Sequence, residues 1–354
     1  MAHACAHDID AASADGGRRK RIERMPRPAD TRSMVVVGYH ASHEQLPPSL
    51  LLRAVVAAER AGFDAAMCSD HLAPWGVRQG HSGFAWSWLA AALASTSFSL
   101  GVVNAPGQRY HPVIVAQAIA TLEEMFPGRF WAALGSGEAM NEHVTGDPWP
   151  PKEDRNARLA ECLEIIRRLL AGEEVTHDGH VRVDRARVWS LPETPPPLFG
   201  AAVSAKTAGW LVGRVDGLAT VAQDPAALRD VVDAYRSAGG EGPCVLQVHL
   251  SLARTDADAI AMTRDQWRNG LIGPPEAWDF THPEDFDRAT ADPDDDELRR
   301  AVLVDHDPAA LAQRIADLVR LGFDRVYLHH VGKDQEPYLA VAGEELLPEL
   351  RRAL

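Results

Sequence analysis

Asp64-Ala-Ala-Met-Cys-Ser-Asp-His-Leu-Ala-Pro-Trp75 is the stretch on which the reading of the fold turns. Its apolar run, residues 65 to 68, stops abruptly at Ser69-Asp70-His71, and a Pro-Trp pair follows within four residues. A buried strand that ends in a polar, titratable tip has this form. Just before it, Ala61-Gly62-Phe63 closes a helical segment, since glycine takes the left-handed conformation past a helix end without a steric penalty. The local order is helix, turn, strand, reactive loop.

The same unit recurs on both sides. Short β-rich runs at 35–39, 65–68, 99–103, 130–134, 198–202, 217–221, 244–252 and 325–330 alternate with amphipathic segments at 49–61, 84–96, 112–125, 153–171, 204–212, 224–237, 255–268, 308–321 and 335–354. In 49–61, Leu51, Leu52, Val55 and Val56 recur at helical spacing; in 153–171, Leu159, Leu163, Ile166 and Leu170 do the same. Repeated βα units predict an α/β chain, here one (β/α)8 TIM barrel over 34–354, with a doubly wound open sheet as the alternative. Two insertions interrupt the rhythm. Residues 174–191 alternate like a small hairpin, and 269–300, rich in proline and acid, read as an irregular excursion of the kind that covers a substrate.

A net charge of −14 and a pI near 5.5 leave no organised basic surface for nucleic acid or an anionic membrane. A small-molecule partner is expected. No apolar stretch reaches the roughly 18 residues of a membrane span. Cys5, Cys68, Cys162 and Cys244 lie far apart without a CxxC pair, so a reduced, cytoplasmic protein is expected, with neither a disulfide framework nor a zinc site. Residues 1–33 carry Arg18-Arg19-Lys20-Arg21 but no apolar core, so they read as a disordered leader, with Met34 as an alternative start.

In such a barrel the active site lies where the strands end. Strand 1 is expected to end at His40, strand 2 at Asp70 and His71, strand 3 at Asn104, strand 4 at Glu138 and strand 8 at His329-His330. Any one of these has an ordinary reading as a backbone-capping residue; five converging ends favour a site. Histidine exchanges protons near neutral pH and a carboxylate fixes its tautomer, so Asp70-His71 is the sharpest pair, although adjacent strand residues point to opposite faces. Gly135-Ser-Gly-Glu138 lets a ligand approach the backbone, and Gly200-Ala-Ala-Val-Ser204 precedes a helix whose free amides suit an anion. Trp75, Phe84, Trp86 and Trp88 either wall a planar cofactor or pack in the core or at a subunit interface. The fifteen histidines form no HxH on strand 1 and no HExxH, and no serine sits in a GxSxG elbow, so no metal ligand is assigned.

Gly38-Tyr-His-Ala-Ser-His-Glu-Gln45, Ser69-Asp-His-Leu-Ala-Pro-Trp75, Pro106-Gly-Gln-Arg-Tyr110 and Gly135-Ser-Gly-Glu-Ala-Met-Asn-Glu142 together resemble the luciferase-like flavin oxidoreductases. The branch resembled includes the glucose-6-phosphate dehydrogenases that depend on coenzyme F-420 (F420). The resemblance implies a barrel, often homodimeric, with FMN or F420 at its C-terminal face. It implies that His71 and Glu138 are catalytic, with Trp75 beside the reacting ring. Asp70, Glu44, Ser136 and Asn141 would bind or line the cofactor, as would Ala201, Ala202 and Ser204 at its phosphate. Val102, Val103 and Ala105 would form the strand-3 wall, where the family tends to place a non-prolyl cis peptide. The sugar-phosphate ligands of that branch fall near Val221, Asp224, Ala277 and Ala301, none of them cationic, so glucose 6-phosphate is not the expected substrate. The expectation is hydride transfer between a (deaza)flavin and a small organic substrate. The alternatives are an FMN monooxygenase, a non-catalytic flavin-binding protein and a metal-dependent barrel hydrolase.

Overall fold

The boundaries of the elements follow from short-range chemistry. Proline stands in the first turn of the helices Pro48–Ala61, Pro112–Met125, Pro225–Ser237 and Pro308–Val319, where its missing N–H has no helical partner to lose. Gly62 ends the first of these at φ 95°, donating back to Ala58 and Glu59. The computed structural model describes residues 35–354; the leader assigned to 1–33 and the start at Met34 lie outside the described residues.

Eight parallel strands follow in order: β1 (Val36–Ala41), β2 (Ala65–Ser69), β3 (Leu100–Asn104), β4 (Phe130–Leu134), β5 (Leu198–Ala201), β6 (Gly217–Val221), β7 (Cys244–Leu252) and β8 (Arg325–His330). Each pairs with the next, and β8 returns to β1 with Arg325 opposite Val36. The sheet is closed, which excludes the doubly wound alternative. Outward side chains such as Val37, Cys68, Val102 and Leu246 pack with the helical stripe of Leu51, Val55 and Ala58 and its counterparts.

The interior is filled by a size exchange between neighbouring strands. A methyl group placed on Gly38, Gly101 or Gly217 would lie 2.3, 2.0 or 2.4 Å from the ring of Tyr327, Trp131 or Phe199. The three absent side chains make room for three rings, which pack with Met67, Ala133, Ala219 and Val245 into an inner core. This plug closes the barrel below the strand C-termini. Chemistry is confined to the mouth above it.

The insertions are more ordered than their composition suggests. Val175–Asp178 and Arg182–Ala186 form the expected antiparallel hairpin. The segment 269–300, expected to be irregular, instead carries the short helices Glu276–Asp279, Pro283–Ala289 and Asp295–Ala301. The acidic run is a helix start: Asp294 accepts from the Glu297 amide while Glu297 accepts from the Asp294 amide, a reciprocal capping box. A ninth strand, Leu303–Asp305, then lies parallel to β7. The bonds joining Val102 to Ala105 are trans, contrary to the expected cis peptide; for a non-prolyl bond the cis form costs about 3 kcal/mol. The cis bond among the described residues is Pro274-Pro275.

Candidate active site

Alternation along each strand decides what faces the mouth. Val36, Met67, Val103, Ala201, Ala219, Val245 and Tyr327 belong to the inner core, so the next inward positions are His40, Ser69, Val221, Gln247, His249 and His329. Val103, Ala201, Val221, Gln247 and His249 are only half-buried although they point into the barrel, as are Gly135 to Glu138. The mouth is therefore an open, concave surface.

His71 stands at one corner of it. Its Nδ1 lies 2.6 Å from Glu44 Oε1 and its Nε2 lies 3.7 Å from Glu138 Oε2. Trp75 meets the imidazole edge-on at 5.0 Å and is itself backed by Phe286. Glu44 is buried, and Ser42 donates to its other oxygen at 2.6 Å. Burial opposes the charged form of His71, but the carboxylate of Glu44, with that of Glu138 behind it, outweighs burial and lifts its pKa above 6.5. Burial likewise works against ionised Glu44, yet His71 and then Ser42 bring it down to about 2. Glu138 is pushed up, chiefly by burial. The corner thus pairs an imidazole whose protonated form Glu44 favours with a carboxylate held ionised and a second carboxyl whose charge burial disfavours.

That pair makes stability depend on pH in two windows. The His71 contribution is complete below about pH 6.5 and is lost as pH rises through its higher folded value; the Glu44 contribution is complete above 4.5 and is lost as pH falls toward about 2. With Glu44→Gln, burial is left opposed mainly by Glu138, and the His71 pKa is expected to fall. Titration of the His71 ring by NMR measures this, and an unchanged midpoint would remove Glu44 as the cause.

Asp70 does not touch His71, because the two adjacent side chains diverge. It serves as the buried centre of a second network. Asn104 donates to its Oδ2 at 2.7 Å, Tyr110 to its Oδ1 at 3.2 Å, and Arg109 donates to its backbone carbonyl at 2.7 Å. Arg109 also lies 3.6 Å from the carboxylate, and its amide donates to Glu142 at 2.6 Å. Asn141 ties the two corners, accepting from the Leu72 amide at 2.8 Å and donating to Glu138 at 3.2 Å.

The floor of the mouth is a stack of neutral imidazoles. His40, which lies inside β1 and not past its end, stacks on His329 at 4.5 Å, and His249 lies 5.0 Å from His329. Gln45 Oε1 sits 2.7 Å from His329 Nε2, and Ser69 Oγ 3.3 Å from His40 Nε2, while Nδ1 of His40 and of His329 has no partner. Burial drives the pKa of His40 down to about 4 and that of His249 to about 3, so neither carries charge at neutral pH. His330 points the other way and stacks on Tyr338.

The wall over β2 to β5 suits a planar ring. Val103 and Ala105 line it, and a methyl group on Gly137 would come within 3.4 Å of Ala105. Val102 and Ala202 pack outward into the helical layer, because each is one residue out of phase with the inward set, and offer only backbone. Trp86 and Trp88 are core residues and Phe84 is exposed, which leaves Trp75 alone of the four aromatics at the mouth. Ser204 is exposed and spends its hydroxyl capping its own helix at Thr207. Near the expected sugar-phosphate position, Asp224 caps the next helix, Ala277 is buried against Met140 and Phe286, and Ala301 is half-buried. Arg264 and Arg268 in that region are paired with Asp295 and Asp287.

Sequence reasoning missed the roles of Arg109, Tyr110, Gln247 and His249. Arg109 and Tyr110 lie within a stretch already noted for its resemblance. Gln247 and His249 were hidden in a strand whose inward phase only its partners reveal.

Comparison with known proteins bears on this geometry. The family described as luciferase-like monooxygenase matches residues 32–325. An F420-dependent glucose-6-phosphate dehydrogenase of Beutenbergia cavernae is 38% identical over 333 residues, covering 90% of this chain and 98% of the relative. The protein of the same description from Nakamurella multipartita is 35% identical over 327 residues, covering 89% and 96%. Among solved structures, an F420-dependent secondary alcohol dehydrogenase in complex with an F420-acetone adduct superposes with a TM-score of 0.83 at 27% identity, over 89% of this chain and 99% of that one.

Proposed function

We propose, from the premise that this chain belongs to the luciferase-like monooxygenase family, that it is a (deaza)flavin-dependent oxidoreductase moving a hydride between F420 or FMN and a small uncharged alcohol or carbonyl compound. The observation that carries this reading is the His71 corner: one ring nitrogen held by Glu44, the other free toward Glu138 at the open mouth. The names of the relatives favour F420 over FMN. The bound cofactor supplies the hydride acceptor. In the oxidative direction, His71 Nε2 takes the hydroxyl proton as the carbinol carbon loses hydride, and Glu44 stabilises the resulting imidazolium. Glu138 exchanges that proton onward, its raised pKa placing it closer to neutrality than an ordinary carboxylate. Trp75 shields the corner from water. The neutral imidazole floor hydrogen-bonds an uncharged substrate, and Val221, Asp224, Ala277 and Ala301, none of them cationic, at the positions expected for sugar-phosphate ligands argue against glucose 6-phosphate.

Binding titrations with F420 and FMN side by side, followed by cofactor-reduction assays with unphosphorylated alcohols and with glucose 6-phosphate, test this. Tight F420 binding and reduction by an uncharged alcohol are the expected results. Oxygen consumption coupled to hydroxylation in the presence of reduced FMN would establish the monooxygenase reading instead. Binding without turnover of any acceptor would favour a non-catalytic carrier.

A further inference from the structure

His71 and Glu138 are not held together by a bond of their own. His71 Nε2 and Glu138 Oε2 stand 3.7 Å apart, beyond hydrogen-bond reach, on loops that follow different strands. Their separation is therefore set by whatever fixes the two loops. Asn141 provides one direct tie, through the Leu72 amide. The segment 276–289 provides a second, reaching the two loops from 130 and 210 residues away along the chain.

On the β2 side, Asp287 accepts from the Val77 amide at 2.9 Å with one oxygen and from Arg268 at 2.9 Å with the other. It packs against Gly76, where an added methyl group would lie 3.1 Å from its carboxylate. One residue earlier, Phe286 is buried and meets Trp75 edge-on at 5.4 Å, and Trp75 meets His71 in the same way at 5.0 Å. Contact therefore runs unbroken from helix Pro283–Ala289 to the imidazole. On the β4 side, Ala277 and Phe286 pack with Met140, two residues beyond Glu138. Asp279 accepts from Trp149 Nε1 at 3.1 Å, and the same indole would lie 3.4 Å from a methyl group on Gly137, the neighbour of Glu138.

We propose that Asp279, Phe286 and Asp287 are positioning residues: the segment 276–289 braces the loops after β2 and β4 against each other and so sets the separation of His71 and Glu138. Each acts through Trp75, Val77, Met140 or Trp149 and not on the reacting atoms. A displacement of about 1 Å in such a pair can cost on the order of 10²-fold in rate, so loosening one end of the brace reaches turnover.

Two double-substitution cycles test the brace. The first needs neither cofactor nor substrate. Burial lowers the His71 pKa, Glu44 and then Glu138 raise it, and Arg109 opposes them, so Glu138→Gln is expected to lower the midpoint of the His71 ring resonance. In an Asp287→Ala background that drop should shrink by about half or more, because the carboxylate is no longer held against the ring. Glu44 and Arg109 are unchanged throughout the cycle. The second cycle reads turnover with cofactor and an uncharged alcohol, and so rests on the function proposed above. Asp287→Ala should lower kcat by about tenfold with KM changed by less than about twofold, yet lower kcat by less than about twofold once Glu138→Gln is present. Asp287→Asn keeps an acceptor for the Val77 amide and should retain most of the rate. Arg288→Ala, on the same helix but paired with Asp285 toward solvent, should leave both readouts unchanged. If Asp287→Ala fails to fold, Asp279→Ala at an exposed position runs both cycles from the β4 side. No drop in the wild-type ring midpoint, a drop of equal size in both backgrounds, or equal losses of kcat in both overturns the brace. Wild-type protein that reduces neither cofactor with any alcohol refutes the proposed function, while the ring titration still decides the brace.

Discussion

His71→Ala is expected to lower turnover by about 10²–10⁴-fold while the cofactor dissociation constant changes by less than about threefold, as befits loss of a general acid-base group outside the ring-binding wall. The reasoning is geometric. Nδ1 is taken by Glu44 at 2.6 Å, so Nε2 is the nitrogen presented to the mouth, and Val103, Ala105 and the Gly135–Glu138 turn do not depend on the ring. Removing the imidazole leaves Glu44 buried with Ser42 alone, so its pKa is expected to rise and the carboxyl to protonate rather than remain an isolated charge. A melting curve guards against reading misfolding as lost chemistry. Steady-state turnover and cofactor titration on one preparation settle the matter: unchanged turnover removes His71 from the mechanism, and a parallel loss of cofactor binding makes it structural.

The largest expected stability effect lies one residue earlier. Asp70→Ala deletes the acceptor of the Asn104 and Tyr110 bonds and the nearer carboxylate of Arg109, leaving buried Asn104 and half-buried Tyr110 and Arg109 short of partners. Breaking a buried pair from one side costs about 3–5 kcal/mol. For a chain of this size that lowers the melting midpoint by about 5–10 °C. Glu142 remains near Arg109 and keeps the loss toward the lower figure. Asp70→Asn should cost less, since its amide oxygen still accepts from Tyr110. Thermal unfolding of both variants is the measurement. A midpoint for Asp70→Ala within a degree or so of wild type would show that the network is not what holds the β2–β3 corner together.

Much of the barrel was legible before its structure, and particular residues show why. The spans 130–134, 217–221, 244–252, 325–330 and 112–125 agree with the observed elements to the residue. Each is bounded by a strong local signal, such as Pro112 at a helix start or Gly128 and Gly135 flanking β4. The strand Leu303–Asp305 was not legible, because three residues cannot display a period and its pairing with β7 comes from a neighbour 53 residues away in register. The helix starting at Asp295 was legible in principle: Asp294 and Glu297 have capping-box spacing, obscured by an acidic run that resembles a loop.

The site divides along the same line. His71, Glu138 and Trp75 could be singled out from the sequence because each lies next to a turn, whereas Asn141 was named by resemblance alone. Glu44 was placed near the ring by resemblance, but that it, and not Asp70, meets His71 depends on the packing of the β1 loop over β2. His40, His249 and His329 form one floor only because β7, β8 and β1 are adjacent in the closed sheet and share an inward phase at that height. Lys152 reaches Ser136 only through the fold of the intervening loop. By itself the sequence determined the alternation of elements and the polar strand tips, since these follow from the backbone preferences and period of a few consecutive residues. Which tips meet and which carboxylate pairs with which histidine were decided by the tertiary structure, because closure of the barrel sets distances between residues whose separation along the chain carries no such information.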